Sequence, residues 1–417
     1  MNDRLHPCLA LHPDVLDEPF LRPCSDETSF SHLARIASVF PEYSSIEIAD
    51  LTFGFRPSAK KGVLHLGWGR YQEYFQRHGC HINVMEHSSP LPLFRPFVEA
   101  ASYANAENTA LFRRAGSCSP IQQKNTYSFR TNPAICPECV ASDLNEVGFA
   151  WYRRTHQVLA VTCCPNHGTT LLDACPFCGE KISMHDLQTL TCGQCNSSLR
   201  FLDQGTPAEL AAARVVQAIY EGRFPVAPSA LRLATLRTRV AERVSSRSGI
   251  VGDNLARVVV QHFGRNLLNS LSWAPDMSPT FAWPILLIHG LHFMSHPTAN
   301  ILLISMLFDS VEDYATALKQ QRIFGLAETI DGPRPLVGAC NITPALLRAS
   351  YRHTIEEAAV IAGGSDKRLC FWLSAYPGLR ARRKAFFARQ QPKRDRKILE
   401  AHVRHHPQTT RTSLKQV

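Results

Sequence analysis

CPECVASDLNEVGFAWYRRTHQVLAVTCCPNHGTTLLDACPFCGEKISMHDLQTLTCGQC, residues 136–195, is the stretch on which the fold turns. It contains four short-spaced pairs: Cys136 with Cys139, Cys164 with His167, Cys175 with Cys178, and Cys192 with Cys195. Structural zinc is held by four Cys or His ligands in a tetrahedron, commonly as two such pairs. Taken in order, the pairs give C-x2-C, 24 residues, C-x2-H, and then C-x2-C, 13 residues, C-x2-C. Two structural Zn2+ ions are therefore expected, on two small zinc-ribbon or knuckle modules. Cys163 adjoins Cys164 and could take its place as a ligand. The C-x2-H spacing matches the other knuckles and favours Cys164.

Catalytic zinc needs an open coordination position and a nearby general base. A zinc deaminase would carry H-x-E ahead of its PCxxC pair, and no histidine of this chain is followed by Glu at the second position. HExxH, the GxxxxGK[ST] phosphate loop, GxGxxG and GxSxG are also missing from the sequence. His12, His65, His262 and His289 stand alone and read as structural histidines. The chain is read as non-catalytic. A zinc-dependent nucleic-acid enzyme is the rival from another class.

The chain has 417 residues, a hydrophobic fraction of 45% and a charged fraction of 19%. Its length suits about two to three globular domains. A net charge of +10 favours a polyanionic partner. The opening MNDRLHPCLALHPDVLDEP lacks the apolar core of a signal peptide. The apolar runs 283–291 and 301–308 are too short to span a bilayer. The expectation is a cytoplasmic protein with no membrane partner, whose fourteen cysteines are reduced rather than paired in disulfides.

The fold class expected is a mainly α multi-domain protein with the two zinc modules and a C-terminal helix-turn-helix. Its divisions are an N-terminal helical domain at 1–130, a double zinc-binding region at 131–203, a helical middle at 204–340, and the helix-turn-helix with its basic tail at 341–417. A first helix is expected from Asp26, with Asp26, Glu27 and Thr28 in its first turn and Phe30, Leu33, Ala34 and Ala37 at helical spacing. Residues 158–161 and 170–172 read as short strands, and 203–207 as a linker. Thr206-Pro207 then opens a helix.

TIEEAAVIAGGSDKRLCFWLSA, residues 354–375, has helix-turn-helix grammar. Thr354 and Glu357 make a capping box, Gly363-Gly364 supply the turn, and Ser365 caps the second helix. Lys367 and Arg368 would stand at the exposed start of a recognition helix. A basic run follows, led by Arg380, Arg382, Arg383 and Lys384, and suits phosphate contacts. Arg239, Arg243 and Arg247, four apart on one helix face, form a second candidate stripe for a nucleic-acid backbone.

Several blocks in order resemble the TniQ/TnsD family of transposon target-selection proteins: PCSDETSFSHLARIA at 23–37, HSSPLPLFRPF at 87–97, the 135–172 block, and CPFCGEKI and CGQC. More loosely, HPTANILLISMLFDSVEDY at 296–314 resembles the TnsD-type extension. The resemblance makes 1–130 a TniQ-type domain and 204–340 a TnsD-like region. It implies a protein that marks where a transposon inserts, in the bacterial cytoplasm at the nucleoid. Such proteins bind an attachment site in DNA directly, or dock on an RNA-guided CRISPR effector complex, often as homodimers. Both kinds recruit the AAA+ ATPase regulator of the element, TnsC.

Overall fold

In a computed structural model of the chain, residues 23–39, 47, 68–77, 81–112, 128–200, 203–244, 251–275, 282–290, 293 and 295–325 are described. The chain divides into two units, Met1–Ile288 with His292–Gly332, and His289–Leu291 with Pro333–Val417. The architecture below is that of the first. The expected helix-turn-helix and basic tail lie outside the described residues, as do His12 and His65.

The described residues are mainly helical and contain no sheet. In the N-terminal part α1 is Ser29–Val39, α2 Trp68–Arg77, α3 Val84–His87 and α4 Ala100–Phe112, with a 3-10 turn at Leu91–Phe94. The ligand-rich part carries α5 (Pro137–Glu146), α6 (Arg154–Gln157) and α7 (Met184–Thr189). The middle follows as α8 (Pro207–Tyr220), α9 (Ser229–Val244), α10 (Val251–Phe263), α11 (Arg265–Ser270), α12 (Trp283–Ile288), α13 (Pro297–Leu307) and α14 (Val311–Gly325).

The first helix opens at Ser29 and not at Asp26. Asp26 sits at φ 61°, a left-handed conformation that cannot lead into a helix. Thr28 is the cap, its Oγ1 accepting the Ser31 N–H at 3.1 Å. The two acidic residues ahead of it serve buried arginines instead. Glu27 pairs with Arg35 at 2.7 Å, with side-chain exposures of 0% and 2%. Asp26 pairs with Arg154 at 3.3 Å.

The Thr206-Pro207 helix forms as its local code requires. The Thr206 Oγ1 accepts the Glu209 N–H, the Glu209 carboxylate accepts the Thr206 N–H, and Pro207 occupies the first turn. Ala208, Ala212, Val215, Val216 and Ile219 make its buried stripe. That stripe lies on α13, which also meets α9, α10 and α12. Every residue of α13 is buried, which is why its sequence is apolar on all sides. No helix among the described residues is long and apolar enough to cross a membrane.

One hydrophobic cluster runs from Leu33 and Ile36 of α1 through Phe94, Cys136 and Cys164 to Val216, Leu303 and Leu318. A smaller cluster gathers Ile182, Leu187, Leu190 and Leu199 against Ile135, Val140 and Tyr152. The helical middle is also tied to the N-terminal part by Arg232. Its guanidinium is buried beneath Phe97 and donates to the Pro96 carbonyl at 2.6 Å and the Phe97 carbonyl at 3.2 Å.

The runs 158–161 and 170–172 form isolated antiparallel bridges, Phe129 with Val158, Cys163 with Thr170 and Ile135 with Leu172, in place of the expected strands. The 203–207 segment is pinned along its length. Thr170 N–H donates to the Asp203 carbonyl at 2.7 Å, Thr169 bridges to Gln204, and Gly205 N–H donates to the Gly168 carbonyl at 2.8 Å.

Candidate metal centres

The chain brings the eight expected ligands together as two groups of four: Cys136, Cys139, Cys164 and His167, and Cys175, Cys178, Cys192 and Cys195. In each group the donor atoms lie within 4.8 Å of one another.

Three of the four pairs are built on the same backbone turn. The N–H of the residue after the second ligand returns to the carbonyl of the first: Gly168 to Cys164 at 2.8 Å, Gly179 to Cys175 at 2.9 Å, and Asn196 to Cys192 at 2.8 Å. Each of these residues has positive φ, at 74°, 76° and 57°, which Gly and Asn tolerate best. The N–H of each first ligand then donates onward, Cys164 to Thr169, Cys175 to Glu180 and Cys192 to Ser197. A single antiparallel bridge closes each knuckle, Cys163 with Thr170, Ala174 with Lys181, and Thr191 with Ser198. The fourth pair begins with the same bond, from Val140 N–H to the Cys136 carbonyl at 3.0 Å. There the turn continues as α5, with Cys136 at its cap and Pro137 in its first turn. The sequence does carry the signal for the repeated turn: Gly, Gly and Asn directly after His167, Cys178 and Cys195.

The repeat decides between the two adjacent cysteines. Cys163 occupies the bridge position that Ala174 and Thr191 hold in the other knuckles, so its side chain leaves the ligand group. It packs beneath Gly205, where burial and the nearby Glu209 push its thiol up to about 12. Cys164 faces the donors.

The donor set fits zinc. Zn–S bonds of about 2.3 Å and Zn–N bonds of about 2.0–2.1 Å on a tetrahedron place two sulfurs about 3.8 Å apart and sulfur and nitrogen about 3.5 Å apart. In the first group Cys139 Sγ and Cys164 Sγ are 3.5 Å apart, and His167 Nδ1 lies 3.5, 3.4 and 3.6 Å from the sulfurs of Cys136, Cys139 and Cys164. In the second, Cys175 and Cys195 are 3.7 Å apart and Cys178 and Cys192 3.6 Å. Hydrogen bonds from the Cys136 and Cys139 thiols hold the Cys164 thiol below the ordinary range. The hydroxyl and N–H of Ser197 hold Cys195 down at about 6. Four protein donors in each group leave no open position for substrate or water, so the arrangement suits a structural ion.

Around the first group lies an ionic framework that sequence spacing did not single out. Arg153 makes a two-pronged pair with Asp143 of α5 at 2.6 and 2.7 Å and stacks on Trp151. Arg154 donates to the Glu86 and Ser89 carbonyls and lies over Tyr220 of α8. Thr162 Oγ1 donates to Glu209 at 2.7 Å, joining the first knuckle to the α8 cap.

Of the expected nucleic-acid residues, the described chain places Arg239 and Arg243. Arg239 pairs with Asp313 at 2.6 Å and lies over Phe308, and Arg243 pairs with Asp309 at 2.9 Å. Arg247, Ser365, Lys367, Arg368, Arg380, Arg382, Arg383 and Lys384 lie outside the described residues. His262 is exposed, its ring edge-on to that of Phe263, and partial desolvation together with the nearby Arg243 holds its pKa below the usual value.

Residues 19–171 match the TniQ family model. Over this stretch the chain is similar to the TniQ family. That family is associated with target selection in transposition and is non-catalytic. The match takes in the first ligand group and ends before Cys175, so the second group lies outside it. No curated protein matches the chain.

Proposed function

We propose that this chain is a non-catalytic target-site selector of a transposon, which binds DNA at the insertion site and recruits the AAA+ transposition regulator. The TniQ match over residues 19–171 carries the reading. The two four-donor groups support it, since closed centres stiffen a scaffold and offer no chemistry of their own. The net charge of +10 supports a nucleic-acid partner. In this reading each group holds one zinc ion, and residues 341–417 read the DNA. Ser365, Lys367 and Arg368 begin the recognition helix, and Arg380, Arg382, Arg383 and Lys384 meet phosphates. Arg247 adds to the phosphate contacts. Arg239 and Arg243 join it only by exchanging Asp313 and Asp309 for phosphate.

Selection of bound duplexes from a random library tests this. One sequence should be enriched, and Arg368→Ala should cost about 1–3 kcal/mol on that duplex and less on random duplex. Equal binding to every duplex overturns direct reading of DNA. Co-purification with a CRISPR ribonucleoprotein would replace it with the adaptor role. Zinc-dependent turnover of nucleic acid would replace it with an enzyme.

A further inference from the structure

The two ligand groups differ in how their sulfurs meet solvent. In the first, Cys136, Cys139 and Cys164 are all buried at 3% exposure or less, within the main hydrophobic cluster, and only His167 is exposed. An imidazole is not part of the thiol oxidation ladder that peroxide drives. In the second, Cys178 and Cys195 are exposed, and Phe177 between the first two ligands is 66% exposed. Each exposed sulfur faces a buried one, Cys178 with Cys192 and Cys195 with Cys175.

We propose that the second group is an oxidant-sensitive latch, from which peroxides discharge the metal while the first group keeps its own. The inference rests on the reading of two zinc centres. Thiolate oxidation requires access, and access favours the exposed sulfurs. The Cys178 sulfur attacks one peroxide oxygen, the O–O bond breaks, and hydroxide leaves a sulfenic acid on Cys178. The Cys192 sulfur, 3.6 Å away, attacks that sulfenic sulfur and displaces the second hydroxide. Two thiolates have lost two electrons, the peroxide has gained them, and the two hydroxides leave to solvent, where buffer acid protonates them to water. Cys195 and Cys175 offer the same step at 3.7 Å. Sulfurs joined as a disulfide no longer supply the thiolate charge that holds the cation.

The consequence is local. Apart from the small hydrophobic cluster, residues 173–200 are held by the Tyr152 hydroxyl donating to the Ile182 carbonyl at 3.1 Å and by the Gln188 amide bridging both backbone groups of Ala150. Loss of the second centre loosens this lobe from α5. The first group, whose cysteines lie in the main hydrophobic cluster, stays packed.

The test uses the full chain, its zinc counted before oxidant is added. Fewer than two ions per chain overturns the reading of two centres itself. Hydrogen peroxide is then titrated in while a chromogenic chelator reports free zinc and differential alkylation with mass spectrometry reports each cysteine. One ion should be lost before the second begins to leave. Among the seven ligand cysteines oxidation should be confined to Cys175, Cys178, Cys192 and Cys195, and dithiothreitol with zinc should restore the site. His167→Cys, which gives the first group an exposed sulfur with its donor set still closed, should make that group sensitive too. Parallel loss of both ions, oxidation of Cys136, Cys139 or Cys164 first, failure to recover, or a resistant His167→Cys centre each overturns the proposal.

Discussion

Gly205 lies directly against Cys163, and replacing it with alanine tests the packing that separates Cys163 from the metal. A Cβ built on Gly205 falls 2.5 Å from the Cys163 Cβ, 2.8 Å from its sulfur and 3.3 Å from the Gly168 carbonyl oxygen. Carbon atoms rest about 3.5–4.0 Å apart, so the two segments must separate by about 1 Å. Both are anchored: Gly205 by its hydrogen bond to Gly168, and Cys163 by its bridge to Thr170. Overpacking of this kind costs about 1–3 kcal/mol. In urea, with excess zinc present, the midpoint should fall by about 0.5 M or more. Gly168 follows His167 in the knuckle, so zinc should also leave the first centre faster when a chelator is added. Cys163→Gly removes both cysteine atoms that the new methyl would strike. On its own it should destabilise by about 1–2 kcal/mol through the void it leaves. Combined with Gly205→Ala it should restore stability, with a coupling of about 1–2 kcal/mol. A Gly205→Ala chain as stable as the parent, or no coupling in the double variant, would refute the packing and reopen the place of Cys163.

Zinc counting gives the companion result: Cys163→Ser should retain two ions per chain and Cys164→Ser only one, as measured by elemental analysis of the purified variants. Arg35→Ala leaves the Glu27 carboxylate buried without its partner and should cost about 3–5 kcal/mol in denaturant unfolding. Asp186 accepts the Ser183 and Gly193 N–H groups at 2.8 Å each, tying the start of α7 to the Cys192–Cys195 knuckle. Asp186→Ala should cost about 1–2 kcal/mol and speed zinc loss from that centre alone. Burial works against the Asp186 carboxylate, but those N–H groups outweigh it and hold its pKa below the ordinary value. A lowered folded-state pKa contributes stability above the unfolded value and loses it as pH falls through the folded one. The gap between parent and variant should therefore hold at neutral pH and close in acid.

The features legible in the sequence are those written in short codes. The ligand pairs at two-residue gaps were readable, because each knuckle is a local turn that fixes its own donors. Thr206, Pro207 and Glu209 were readable for the same reason. Residues 158–161 and 170–172 were misread as strands because apolar runs look alike whether they pair over several residues or close a knuckle with one bridge. The start of α1 was misplaced because Asp26 and Glu27 resemble first-turn acids. Their partners, Arg154 and Arg35, lie in the folded interior and leave no mark at helical spacing. The arginines of 231–244 show the same limit. Arg232 sits in the α9 sequence as a charge like any other, yet it is 2% exposed and capped by two carbonyls. Arg239 and Arg243 read as a free basic face, and Asp309 and Asp313, which face them, are distant in sequence.

The placement of Arg153 and Arg154 shows how the first centre reaches the rest of this unit. These adjacent residues point to different elements. Arg153 holds Asp143 of α5, the helix whose start carries Cys136 and Cys139. Arg154 holds Asp26 ahead of α1, the Glu86 and Ser89 carbonyls at the end of α3 and just beyond it, and the ring of Tyr220 at the end of α8. Buried ion pairs add little net stability over apolar packing of the same volume. Their effect is directional, because a guanidinium out of register loses its partners and leaves charges buried and unpaired. A zinc ion held by the first group would impose the same kind of demand, since four donors must converge within a fixed bond length. The N-terminal helices, α5 and α8 are thus locked in one arrangement by contacts that tolerate no sliding. Among the described residues the second centre shows no such ion pairs: its lobe is joined to α5 and Tyr152 mainly by apolar contacts and a few hydrogen bonds. The proposal of a rigid first centre and a separable second one rests on that difference in bonding, although the three knuckle turns within them are alike.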